Sequence, residues 1–71
     1  MGRKGSEGVS LGQGKGIKNT GRALLVEFED EDSDDLWIPL TQIHDDSDVY
    51  DEEHSGNVVV KAWWAEERGL T

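Results

Sequence analysis

Leu24, Val26 and Phe28 alternate with Leu25, Glu27 and Glu29. Apolar positions at period two put alternate side chains on opposite faces of an extended chain. Residues 22–29 therefore predict a β-strand with one buried face and an acidic outer end. The polar run Asp30-Glu31-Asp32-Ser33-Asp34-Asp35 follows and holds no β-former. Leu36-Trp37-Ile38-Pro39-Leu40-Thr41-Gln42-Ile43 then predicts a second strand, so the two segments make an antiparallel hairpin with an acidic tip. Pro39 has no N–H for a ladder, which demands an edge, a bulge or a sharp bend at that point. In a small barrel such a bend carries a strand from one sheet to another.

Residues 44–55 are acidic and turn-like, which predicts a long loop with Val49 or Tyr50 tucked beneath it. Ser55-Gly56-Asn57 signals a turn. Val58-Val59-Val60 is the strongest β-former run and starts a third strand, reaching Lys61, in the same sheet system. From Ala62 the residues suit a helix of about two turns. Trp63, Glu67 and Leu70 share a helical stripe, Arg68 sits in the last turn, and Gly69 stands where a helix stops. Trp63 is expected to be buried where this helix packs on the sheet.

The first 16 residues contain Gly2, Gly5, Gly8, Gly12, Gly14 and Gly16. High backbone entropy and few side chains to bury predict a flexible basic arm over 1–16, with at most a short strand near Val9–Leu11. The folded domain is then 17–71. Gly12-Gln13-Gly14-Lys15-Gly16 lacks the spacing of a phosphate loop and has no strand before it.

A chain of 71 residues makes at most one small domain, with little surface to bury. Three tryptophans, Trp37, Trp63 and Trp64, help such a core suffice, and at least two of them are expected inside it. The pattern as a whole predicts a mainly β fold. It is a small antiparallel open barrel, SH3-like or OB-like, with a short C-terminal helix. Its core is Leu24, Val26, Phe28, Trp37, Val58, Val60 and Trp63.

Three segments carry a resemblance. They are Thr20-Gly21-Arg22-Ala23-Leu24-Leu25-Val26, the Trp37-Ile38-Pro39 strand with its Gln42-Ile43 continuation, and Val58-Val59-Val60 followed by Trp63 and by Gly69-Leu70. Over residues 18–71 the chain resembles small stand-alone proteins of phages and bacteria. The resemblance implies a compact β-rich fold with a terminal helix, and it implies no settled activity. The chain departs from that pattern at Lys61, where a better helix cap is expected, and in its longer, more acidic hairpin tip.

Charge changes the picture most. Residues 1–22 hold five cations against one acid, a net +4, while residues 23–71 hold two cations against fifteen acids, a net −13. The total is −9. A body with a negative field over most of its surface repels free nucleic acid and anionic membranes and favours cationic partners. The chain has no cysteine, which removes disulfides and thiolate metal sites and fits a reducing compartment. No apolar run approaches the roughly 20 residues of a membrane span, and the basic N-terminus lacks the apolar stretch of a secretory signal. The expected location is cytoplasmic.

Candidate chemistry narrows further. Asp30, Asp32 and Asp34 take positions 1, 3 and 5 of an EF-hand-like loop, but Asp35 and Thr41 stand where glycine and a bidentate glutamate belong. His44 and His54 lie among Asp45, Asp46 and Glu53, without the three or four fixed ligands that zinc needs. No catalytic constellation stands out, so neither an enzyme nor a metal or other cofactor is expected. Two partner classes remain. In the first, carboxylates imitate backbone phosphates and engage a basic protein surface. Glu27, Glu29, Asp30, Asp32, Asp34 and Asp35 form one row, and Asp45, Asp46, Asp48, Asp51, Glu52 and Glu53 the other. A nucleic-acid-binding or defence protein is a fitting target for such a phage-type inhibitor. In the second, the chain is a nucleic-acid-binding accessory protein, with the basic arm on phosphates and an exposed Trp37 or Trp64 stacking on bases.

Overall fold

A computed structural model describes residues 7–70. Its strands are β1 (Gly8–Asn19), β2 (Ala23–Phe28), β3 (Leu36–Pro39) and β4 (Ser55–Lys61), followed by helix α1 (Ala62–Glu67). The four strands form one antiparallel sheet in the order β3-β2-β1-β4. The expected hairpin is present, with Leu24 opposite Ile38 and Val26 opposite Leu36.

The largest correction falls on the glycine-rich segment. It is not a flexible arm up to Gly16: β1 occupies Gly8–Asn19 in the middle of the sheet and crosses the expected boundary between arm and domain. The portion of that arm over 1–6 lies outside the described residues. Two irregularities bend β1, one between Ser10 and Gly12 opposite β4 and one between Gly16 and Lys18 opposite β2. Gly12, at φ 108°, supplies a conformation that a side chain disfavours. Bulges of this kind add right-handed twist, which curls the sheet into an open barrel.

The second strand is shorter than expected. Pro39 ends it, and Leu40–Gln42 form a single 3-10 turn rather than continuing to Ile43. Pro39 sits opposite Ala23 on the edge strand, where its nitrogen faces away from β2 and no ladder bond is lost, and the Leu40 amide adds one more bond in register, to the Arg22 carbonyl at 2.9 Å. The chain then returns along the free edge of β4. Ile43 bridges Val60, the His44 amide donates to the Val59 carbonyl at 2.9 Å, and the Asp48 amide donates to the Asn57 carbonyl at 2.9 Å. That return covers an edge that would otherwise offer unpaired backbone groups. The third strand starts at Ser55, earlier than expected, because Ser55, Gly56 and Asn57 pair with Lys15, Gly14 and Gln13.

One cluster fills the concave side: Leu24, Val26, Ile38, Val49, Val58, Val60, Trp64 and Ala65, with Leu11, Phe28 and Leu36 packed against it. Of the expected core, Leu24, Val26, Val58 and Val60 are buried and Phe28 is half-buried. Trp37 and Trp63 are not core: they are 47% and 46% exposed. Trp37 lies opposite Leu25, on the outer face, because Leu36 and Ile38 take the inner positions on either side of it. In α1 the buried side chains are Trp64 and Ala65, one step round from the expected stripe. Lys61 makes no side-chain cap, and the Ala62 amide is satisfied by the Glu7 carbonyl at 3.1 Å. The helix closes as a Schellman motif, with Gly69 bonded to Glu66 and Leu70 to Ala65.

Candidate functional site

All twelve carboxylates expected to bind a partner are exposed. Among the described residues no lysine or arginine pairs with any of them; the His44 imidazole lies 3.7 Å from the Asp46 carboxylate, a charged contact only when the histidine is protonated. Apart from Glu27, which faces Lys15 across the β1–β2 ladder, the acidic field is therefore not neutralised locally.

The two rows are held differently. The tip between β2 and β3 is a local turn. The Asp30 carboxylate accepts the Asp32 amide at 3.0 Å, and the Asp30 carbonyl accepts the Ser33 amide at 3.0 Å. The Glu29 amide donates to the Gln13 carbonyl, which fixes where the tip leaves the sheet. Asp51–Glu53 of the second row are anchored farther along β1. The Glu53 amide donates to the Gly16 carbonyl and the Gly16 amide to the His54 carbonyl, both at 2.9 Å. The Asn19 amide donates to the Glu52 carboxylate at 2.7 Å, and the Asn19 side chain to Asp51 at 3.0 Å. Gln13 and Asn19 are separated by about 20 Å of extended strand. Glu29, held at Gln13, and Asp51–Glu53, held at Gly16 and Asn19, thus sit at different levels along β1, while Asp48, bonded to Asn57 opposite Gln13, lies level with Glu29.

Three residues that the sequence did not single out position the acids. Ser47 is buried, and its Oγ donates to the Val49 carbonyl and accepts the Val49 and Val59 amides. With Val49 fully buried beside it, this pins the 44–54 loop to β4. Asn57 donates its amide to the Asp48 carboxylate at 3.1 Å. Asn19 holds Asp51 and Glu52. Ser and Asn among aspartates are a general sign of local side-chain-to-backbone turns, as at Ser47 and Val49, but the bonds from Asn19 to Asp51 and Glu52 and from Val59 to Ser47 reach far along the chain.

The two histidines serve the same loop. The Asp46 amide donates to His44 Nδ1 at 3.0 Å, and the Tyr50 amide donates to His54 Nδ1 at 3.4 Å. Tyr50 and His54 meet edge-on with centroids 4.3 Å apart, so Tyr50 stays 61% exposed while Val49 is the residue tucked inside. Among the described residues no group of three or more His, Cys, Asp or Glu side chains gathers to hold a metal ion.

Asp51 titrates below the ordinary aspartate range. The Asn19 side-chain hydrogen bond is the main cause, and the Glu52 amide and His54 add to it. A lowered folded-state pKa means the bond stabilises the fold above the unfolded-state pKa and fades as pH falls through the folded one. Asn19→Ala is expected to move the Asp51 titration up toward the ordinary value, measured by carboxyl NMR against pH. An unmoved titration would remove Asn19 as the cause.

Two further features flank the acids. On the outer sheet face, Lys18, Leu25 and Trp37 form one cross-strand row, and Lys15 stands opposite Glu27. Ile17, the extra residue of the β1 bulge, is 43% exposed beside them. On the inner side, between the tip and the C-terminal end of α1, a groove of about 380 Å³ runs over Leu11, Phe28, Leu36 and Leu70 to Asp34 and Asp35. Among the described residues no helix is long and apolar enough to cross a membrane. Compared with known proteins, the chain matches no family model, no curated protein and no solved structure.

Proposed function

We propose that this chain is a non-enzymatic interaction module, acting in the cytoplasm, that docks on a basic protein surface through its exposed carboxylates. One observation carries it: twelve solvent-facing acids on β2 and the two loops, with no described lysine or arginine within ion-pair distance of them. Carboxylates that keep their charge and their spacing present an anionic pattern that a phosphate-binding groove accepts. With the resemblance to phage proteins, an inhibitor that occupies the groove of a nucleic-acid-binding or defence protein is the concrete form.

The outer face favours a second role. Exposed Trp37, with Lys18 across Leu25 in the same row and Lys15 farther along the same face, has the ingredients of a stacking platform for a single strand. The two roles predict opposite responses to charge. For acidic docking, Asp32→Asn, Asp34→Asn and Asp35→Asn combined should weaken capture of the native partner by about tenfold at low salt. The loss should shrink as salt is raised. For nucleic acid, the same triple variant should tighten binding and Trp37→Ala should abolish it. Partner retention across salt steps, with anisotropy on single- and double-stranded DNA and RNA, decides between them. Micromolar nucleic-acid binding by the triple variant at physiological salt, without a protein partner, would defeat acidic docking.

A further inference from the structure

We infer that the groove beside the acidic tip is an anchor pocket for an apolar side chain carried on a lysine- or arginine-rich segment of a protein partner. This rests on the acidic docking role proposed above and names the partner's chemistry at one place. Three neighbouring strands supply the floor: Leu11 from β1, Phe28 from β2 and Leu36 from β3, all half-buried. Leu70, just past α1, lines it as well and is 37% exposed. These side chains continue the core outward, so the groove is apolar because the barrel is open there and nothing among the described residues covers it. Its volume, about 380 Å³, falls in the range of roughly 300–1,000 Å³ that small binding sites take.

The rim selects the occupant. Asp34 and Asp35 border the apolar floor, and neither pairs with a described lysine or arginine. Asp30, Glu31 and Asp32 lie next to them on the same tip. An acidic partner is repelled from this rim, and a wholly polar basic one leaves the floor wet. A cationic segment with one large apolar residue satisfies both: its charges meet the aspartates, and its apolar side chain removes exposed leucine and phenylalanine surface from water. Burying one leucine side chain in such a floor is worth about tenfold or more in affinity.

The test is a backbone-amide NMR titration of the full chain at low salt. It uses two short synthetic peptides of identical lysine and arginine content, one with a central leucine and one with serine there. The leucine peptide should bind about tenfold tighter and shift the amides of Leu11, Phe28, Leu36 and Leu70. Leu70→Ser should erase the difference between the peptides, because it removes apolar floor while keeping the backbone amide that bonds to the Ala65 carbonyl. Combining Asp34→Asn with Asp35→Asn should weaken both peptides. The peptide pair on the unaltered chain needs no variant, so the result stands even where a substitution disturbs folding. Equal affinities, with shifts confined to the tip and the 44–54 loop, would overturn the anchor pocket and leave acidic docking intact. No binding of either peptide would overturn acidic docking itself. Groove shifts that grow with protein concentration alone would assign the groove to a second copy of the chain and overturn the inference.

Discussion

Trp64→Ala is expected to destabilise the protein by about 3–5 kcal/mol, the range for truncating a large aromatic in a core. Trp63→Ala is expected to cost less than about 1 kcal/mol, as surface changes do. The two residues are adjacent and chemically identical, so the contrast isolates packing. Trp64 is 4% exposed, belongs to the cluster that includes Leu24 and Val60, and carries the Arg68 guanidinium 5.2 Å from its ring. Trp63, one position round the helix, is 46% exposed and outside that cluster. A domain of this length has roughly 4–10 kcal/mol of stability, so the loss of Trp64 takes a large share and threatens folding at 37 °C. Urea denaturation followed by far-UV circular dichroism reads both variants without depending on tryptophan emission. Equal losses, or the larger loss at Trp63, would refute the packing of α1.

The same pair shows where sequence pattern stops being decisive. A helix of six residues has too few turns for a 3.6-residue period to select one stripe. Trp63 with Glu67 and Leu70, and Trp64 with Ala65 and Arg68, are both plausible, and the exit direction of β4 selects the second. Trp37 fails for a related reason. Leu36, Trp37, Ile38 and Leu40 are all apolar, so alternation alone does not say which set faces in. The register Leu24–Ile38 and Val26–Leu36 decides it and turns Trp37 outward. Where alternation is clean, as at Leu24, Val26 and Phe28 against Leu25, Glu27 and Glu29, the inward set is legible from sequence alone.

The candidate site was half legible. Aspartate and glutamate are seldom buried, so exposure of both acidic rows follows from composition. Their placement does not. The bonds from Asn19 to Asp51 and Glu52, and from the Val59 amide to Ser47, span long stretches of chain, and no local pattern announces them. The anchor groove was hidden for another reason. It needs Leu11 from a segment whose glycines suggest a flexible arm, set beside Phe28 and Leu36. Glycine suggests backbone freedom, yet at Gly14 an added Cβ would lie 3.0 Å from both the Glu27 carbonyl oxygen and a Val26 methyl. The information that makes β1 a strand resides in the bulk of its neighbours rather than in its own side chains.

Gly16 is where that fold and the acidic surface meet. Gly16→Ala is expected to cost about 3 kcal/mol and to displace the loop that carries Asp51, Glu52 and Glu53. A Cβ at this position would overlap the Asp51 carbonyl oxygen and stand 3.0 Å from its carbonyl carbon. Those are backbone atoms and cannot rotate aside as a side chain would. The Leu24 side chain, 3.3 Å from the same Cβ, blocks retreat toward the core. Relief requires the loop to lift, which lengthens the Gly16–His54 and Glu53–Gly16 backbone bonds and loosens the grip of Asn19 on Asp51 and Glu52. The substitution changes no charge. If partner binding depends on carboxylates held at fixed spacing, Gly16→Ala should weaken it by more than the unfolded fraction accounts for, while the net charge stays at −9. If only the overall negative field matters, binding should fall no further than the folded population does. Amide hydrogen exchange at position 16 and at Glu53, run beside urea denaturation and partner capture, separates the two. Unchanged protection at both amides would show that the loop accommodates the methyl group without moving.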